Sequence, residues 1–316
     1  MTAGEGNSGR RRQMPAGGRL AFFEAADGAR LRYARWPPPA KGGEAAGTVL
    51  FLNGRREFIE KHFETIADLQ DRGFAVVAPD WRGQGGSARS LGDRQKGHID
   101  DFATYVDDLA RFIDRVFRPA VQRPALLLAH SMGAHIALRY LHRERGLFER
   151  AVLLAPLVRI YCAGLSDGLL MPLAGAAASL GLGPSWAPFQ HPFDDRDRRF
   201  AGNPLSGDAA RFADEAWQVD RNPALALGGV TYGWARAALR SERRLTAPGY
   251  AEAITTPIQI VMAGADRVVD NPAIRRLAAR LPDCRLDIIE GARHEILKER
   301  DCLRNRFWAM LDQFIG

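Results

Sequence analysis

Leu126-Leu127-Leu128-Ala129-His130-Ser131-Met132-Gly133 places a hydroxyl where an apolar run with strand character gives way at once to a helical pattern. A sharp strand-to-helix turn lifts such a serine clear of a sheet, the layout of a nucleophile elbow. Gly133 lets the helix backbone pass close to the turn, where a side chain would collide. The usual pattern has a glycine two positions before the serine, and this chain has Ala129 there. A helix N-cap serine is the competing reading of the same residues. Two later segments decide between them.

A serine needs a base, and the base needs an orienting acid. The apolar run 257–264 reads as a buried strand and leads into Ala265-Asp266-Arg267-Val268-Val269. The run 285–289 reads as another strand and leads into Glu290-Gly291-Ala292-Arg293-His294-Glu295. Ser131, Asp266 and His294 therefore each follow a strand, and sites in open α/β sheets form outside the carboxyl ends of strands. We assign Ser131 as nucleophile, His294 as general base and then acid, and Asp266 as the group that holds the imidazole tautomer. Asp270 is the rival acid, but it precedes Asn271-Pro272-Ala273 and reads as a helix cap. His130 and His135 are fixed on the turn and helix beside Ser131, and local packing accounts for them. His98 reads as structural or near the pocket, and His62, His142 and His191 have no supporting context. Met132, just after the nucleophile, offers a backbone N–H to a developing oxyanion.

The chain resembles an α/β-hydrolase of the lysophospholipase and monoacylglycerol-lipase group. The resemblance is carried by Asn53-Gly54-Arg55-Arg56-Glu57, Asp80-Trp81-Arg82-Gly83-Gln84-Gly85-Gly86-Ser87, His130-Ser131-Met132-Gly133, the Asp266 loop and the His294 loop, in the family's order. The segment Gly228-Gly229-Val230-Thr231-Tyr232-Gly233-Trp234 is similar to the bacterial lysophospholipase branch. Family members often carry His-Gly where this chain has Asn53-Gly54. The resemblance implies that the Arg55 backbone N–H is the second oxyanion donor, its side chain left free, and that a helical cap covers the site. It also implies a carboxylic ester substrate with one acyl chain, a lysophospholipid or a monoacylglycerol, cleaved through an acyl-serine. Trp186, Phe189 and Trp234, with Leu169, Leu170, Met171, Leu180 and Leu182, are the cap's candidates for an acyl pocket; packing of cap on core explains them equally well. An acyltransferase or non-lipid esterase on the same triad is the first alternative. A non-catalytic binding protein of the same fold is the second.

The elements needed to position these groups are legible as a pattern. The segments 31–36, 48–52 and 74–78 read as strands, and 58–72, 101–118 and 301–314 as helices. Strands alternating with helices predict an α/β fold, a mostly parallel sheet covered on both faces. Between 157 and 247 glycine, proline and aromatic residues dominate, and strand character returns only at 257. The predicted organisation is a tail over 1–18, a first core part over 19–156, a helical cap over 157–247 and a second core part over 248–316.

Composition narrows the remaining classes. The 316 residues suffice for one large core with an inserted subdomain. No apolar run approaches the ~20 residues that span a bilayer. The net charge of +7 reads as solvated arginines, with no zinc-finger or basic-aromatic pattern to point to nucleic acid. The small, polar tail with Arg10-Arg11-Arg12 predicts a flexible segment, with attraction to an anionic membrane surface as a secondary reading. It lacks the apolar stretch of an export signal. Cys162, Cys284 and Cys302 form no metal or disulfide pattern and predict reduced, buried thiols in a cytoplasmic protein. The loop 82–87 lacks a phosphate-binding Gly-Lys-Ser/Thr end, and no cofactor or metal is expected.

Overall fold

The computed structural model describes residues 3–38, 45–160, 175 and 180–316. Of the cap candidates, Leu169, Leu170 and Met171 lie outside the described residues, as does Cys162.

Apolar runs with no polar alternation must be covered on both faces, and that is where they lie. Strands β3 (Gly47–Leu52), β4 (Phe74–Pro79), β5 (Ala125–His130) and β7 (Ile258–Ala263) are buried at every position. With β1 (Arg19–Glu24), β2 (Arg30–Trp36), β6 (Arg150–Leu154) and β8 (Cys284–Ile289) they form one eight-stranded sheet in the order β1-β2-β4-β3-β5-β6-β7-β8. The first two strands run antiparallel, and β4 to β8 with β3 are parallel. Alternate residues of one strand serve opposite layers: Leu50 and Leu52 join one core, and Val49 and Phe51 join the other. The first layer is packed by α3 (Phe102–Phe112), α4 (Met132–Arg143), α6 (Tyr232–Leu245) and α7 (Asn271–Ala278). The second is packed by α2 (Phe63–Asp71) and α8 (Asp301–Ile315). The expected α/β layering is therefore present.

Several boundaries differ from the sequence reading. β1 and β6 were not anticipated. β1 is an edge strand of alternating, half-exposed residues, and β6 is a run of only five. The helix expected from 58 starts as a 3-10 turn over Ile59–His62, and the one expected to reach 118 passes into a π-turn over Ile113–Phe117. In the cap region the described helices are α5 (Ala209–Arg221) and α6. No helix among the described residues is long and apolar enough to cross a membrane.

The expected flexible tail is corrected most clearly. Ala3–Arg12 is a helix, α1, and its arginines are engaged. Arg10 pairs with Asp68 at 2.6 Å and with Asp71 at 2.5 Å on α2, while Arg11 and Arg12 both reach Asp214 of α5 at 2.7 Å. Composition predicts disorder because the segment buries little apolar surface. The acceptors that order it sit far along the chain, and Asp214 is itself buried. The thiol expectation also fails where it can be checked, since Cys302 is exposed and Cys284 half-buried at the sheet edge.

Candidate active site

Ser131 occupies the turn between β5 and α4 with φ 51° and ψ −115°. This backbone is unfavourable for a side-chain-bearing residue by roughly 1–3 kcal/mol and persists only where its surroundings enforce it. Here Ser131 N–H donates to the Leu154 carbonyl at 2.9 Å, and the Ser131 carbonyl accepts from His135 and Leu157. A Cβ at Gly133 would run into the carbonyl oxygens of Leu52 and Asn53, so the close approach of α4 to the end of β3 demands glycine there. Ala129 lies fully buried within β5 before the turn, where a methyl group is accommodated.

The three strand-end groups meet. The Ser131 hydroxyl lies 2.9 Å from His294 Nε2, and His294 Nδ1 lies 2.8 Å from Asp266 Oδ2. The other Asp266 oxygen accepts from the amides of Val268 and Val269 at 2.8 and 3.1 Å. Burial by itself would raise the Asp266 carboxyl, but the hydrogen bond and charge of His294 and those two amides hold it below its usual value. Asp266 is thus an acceptor that fixes Nδ1–H, leaving Nε2 to take the serine proton. Asp270 caps α7 through the Ala273 amide at 2.8 Å and makes no contact with His294.

The backbone amides of Met132, next to Ser131, and of Arg55, a residue of the cleft wall, have no acceptor among the described residues. Met132 opens α4, whose first N–H groups have no intrahelical partner. Arg55 follows Gly54 in a turn fixed by Glu57, which accepts from the Gly54 amide. The Arg55 side chain is not free, however. It is half-buried against the cap, donates to the Gly228 carbonyl at 3.0 Å and lies over the Trp234 ring. No carboxylate pairs with it among the described residues, and burial together with neighbouring Arg56 lowers it to about 10.

The sequence reading gives Glu57 no role of its own, His130 only local packing and His62 no supporting context. The second Glu57 oxygen takes His130 Nδ1 at 2.8 Å, and His62 Nε2 approaches at 3.1 Å. Desolvation opposes the charge on this buried carboxylate, but the two imidazoles outweigh it and hold Glu57 well below its ordinary range. The signal was present in Asn53-Gly54-Arg55-Arg56-Glu57, but its partners lie in other motifs. The remaining histidines have local roles. His98 meets Thr231 at 2.8 Å, His135 contacts the Leu157 carbonyl and Ser241, and His142 stacks on Tyr250.

A cleft of about 430 Å³ opens at Ser131 and His294. Its described walls include Arg55, Arg56, Lys61, Arg196 and Arg199. The carboxylates beside them are occupied: Glu215 takes Arg56 and Lys61, Glu295 takes Lys61, and Asp197 takes Arg56. None of the proposed cap aromatics lines this cleft among the described residues. Trp234 is buried in the first core layer against Phe102, Trp186 lies half-buried under Lys96, and Phe189 is 99% exposed at a turn with φ 64°. The Phe189 assignment is corrected on that ground, since its backbone points the ring to solvent. Leu180 and Leu182 are likewise exposed. His191, Asp194 and Asp197 bring potential metal-ligand atoms within 4.8 Å of one another, but Arg196 and Arg56 already neutralise the two carboxylates.

The chain is similar to known proteins. The family model described as serine aminopeptidase S33 matches residues 43–301. A probable lysophospholipase L2 of Haemophilus influenzae is 33% identical over 269 residues, covering 85% of this chain and 83% of the relative. Lysophospholipase L2 of Escherichia coli K12 is 34% identical over 273 residues, covering 81% and 76%. Among solved structures, a soluble variant of monoglyceride lipase from Saccharomyces cerevisiae, in complex with a substrate analogue, superposes with a TM-score of 0.76 at 20% identity and covers 96% of each chain.

Proposed function

The chain belongs to the serine aminopeptidase S33 family of hydrolases, and on that premise we propose that it is a serine esterase acting on a lipid ester with one acyl chain. The observation that carries the reading is the Asp266–His294–Ser131 relay, with both contacts at hydrogen-bond distance. In this mechanism His294 Nε2 takes the Ser131 proton as the oxygen attacks the ester carbonyl. The Met132 and Arg55 amides stabilise the oxyanion, and the imidazolium then protonates the departing alcohol. Water, activated by the same imidazole, releases the fatty acid and restores Ser131.

Within that class we favour a lysophospholipid over a neutral monoacylglycerol. Arg55 and Arg199 line the cleft with no ion-pair partner among the described residues, whereas its carboxylates are all engaged. A guanidinium with no carboxylate partner gains from an anionic head group, which it grips with paired donors, and Arg55 is half-buried, where such a contact is screened less than in open solvent. The same bookkeeping argues against an aminopeptidase, which would need an unengaged carboxylate for the substrate's ammonium group. Peripheral contact with a lipid surface is part of the proposal. It is supported by Leu180, Leu182 and Phe189, exposed along 180–189, and no longer by the amino-terminal arginines, which are consumed in ion pairs.

The test is hydrolysis of a lysophospholipid and of the monoacylglycerol with the same chain. Ser131→Ala should lose turnover of both by about 10⁴-fold or more and lose labelling by a fluorophosphonate. Arg55→Ala keeps the backbone donor. It should lower kcat/KM for the lysophospholipid about tenfold more than for the monoacylglycerol, the worth of one charge-assisted contact. Near wild-type turnover in Ser131→Ala would remove the mechanism, and equal losses on both esters in Arg55→Ala would remove the head-group assignment.

A further inference from the structure

A second cavity, of about 340 Å³, lies between α6, α7 and the segment after β6, and shares no described wall residue with the Ser131 cleft. Four arginines line it: Arg159, Arg243, Arg276 and Arg280. The one acidic residue among its described walls is Glu242, a buried side chain that accepts from the Ile160 amide at 3.1 Å. The other described walls are mainly apolar, with Val158, Leu239 and Leu277 at the base. The volume falls within the range of small-molecule sites, roughly 300–1,000 Å³.

The arginines differ in what they already do. Arg280 is structural: it grips Glu252 with two contacts, at 2.8 and 2.9 Å, and caps the Thr246 and Ala247 carbonyls after α6. Arg243 and Arg276 have no ion-pair partner among the described residues. Each stands in the last turn of its helix, where a cation is favoured by the helix dipole. That preference explains why an arginine ends each helix. It does not explain why both converge, with Arg159 and Arg280, on one concave surface with an apolar base. Arg243 and Arg276 are like charges on one surface with no ion-pair partner among the described residues, and an anion between them relieves their repulsion.

We propose that this cavity is a second ligand site, for an amphiphile carrying a phosphate group. The phosphate would lie on Arg243 and Arg276, whose planar forks suit its oxygens, and the apolar part on Leu239 and Leu277. The site stands independently of the hydrolase reading, because no residue of the Ser131 relay borders it. It does adjoin the acid loop: the Asp270 amide donates to the Arg159 carbonyl at 2.9 Å, and Ile160 pairs with Val269.

The experiment is calorimetric titration of the full-length protein with octyl phosphate below its aggregation range, beside inorganic phosphate and octanol. Octyl phosphate should bind more tightly than either. The exposed pair Arg243→Glu/Arg276→Glu should weaken it about 100-fold, the loss of two charge-assisted contacts. The Ser131 cleft is itself proposed to take a single-chain lipid with a phosphate head group, so the titration is made on protein whose Ser131 carries an alkyl fluorophosphonate label that fills that cleft, and there Arg199→Glu should leave the binding unchanged. Co-sedimentation with phosphatidic acid vesicles separates the sources of the phosphate. Binding that falls in the double variant assigns a lipid head group, and octyl phosphate binding without vesicle binding assigns a soluble amphiphile. Octyl phosphate affinity that is unchanged in a folded double variant, or that is lost in Arg199→Glu, overturns the proposal, as does inorganic phosphate binding as tightly as the alkyl ester.

Discussion

His130 Nε2 lies 3.1 Å from the carbonyl oxygen of His294, and the two rings are 4.8 Å apart. The opposite nitrogen, Nδ1, meets the Glu57 carboxylate. A carbonyl oxygen and a carboxylate both only accept, so both ring nitrogens of His130 must donate, and the ring is an imidazolium. Burial alone would oppose that charge, but Glu57 outweighs it and raises His130 above its ordinary value. The charge is therefore a brace: it ties the Arg55 turn, through Glu57, to the backbone of His294, the proposed general base.

This brace predicts a pH dependence. A histidine raised on folding contributes in full below its unfolded value of 6.5, and the contribution is lost as pH rises through the folded value. His130→Gln leaves Glu57 buried without its cation and should cost about 3–5 kcal/mol on the acid side. Thermal unfolding from about pH 6 to about pH 10 should show the gap between wild type and variant narrowing as pH rises. A gap independent of pH would mean that His130 is neutral.

The two candidate acids separate cleanly by function. Asp266 holds His294 and Asp270 caps a helix, so Asp266→Asn should reduce kcat/KM by roughly 10³–10⁴-fold through the wrong imidazole tautomer. Asp270→Asn preserves a good cap and should stay within about twofold of wild type. Steady-state hydrolysis of one ester by both variants decides it, and the reverse ranking would transfer the acid to Asp270.

Lys298 offers a stability test away from the chemistry. It is 1% exposed, and its ammonium has no hydrogen-bond partner among the described residues. Burial, only partly offset by Glu64 and Asp214, lowers it to about 8 from 10.5. Between those values the unfolded chain holds more protons, so this lysine's penalty is full below about 8 and fades as pH rises toward 10.5. Lys298→Met should therefore stabilise the protein by about 1–3 kcal/mol near neutrality. Urea unfolding should show the gain shrinking above about pH 9, and a variant less stable at neutrality would show the charge to be favourable where it sits.

The α/β layering and the candidate groups are legible in the chain before it folds. Each of Ser131, Asp266 and His294 follows a locally legible strand, and a parallel sheet brings successive strand ends to one side. Asp270 was separable from Asp266 for the same reason, since a cap is written in the three residues after it. What required the tertiary structure was every relationship between charges distant in the chain. Arg11 and Arg12 look like a solvated tail until Asp214, some 200 residues on, is seen to take both. Glu57 is one acid among many until His62 and His130 converge on it. Phe189 looks like a pocket aromatic until its backbone turns it outward, and Arg243 and Arg276 like ordinary helix-end cations until α6 and α7 set them around one cavity. Periodicity reports which face of an element is buried, because burial repeats along the chain. Pairing does not repeat, and so only the folded arrangement decides which buried or converging charges meet.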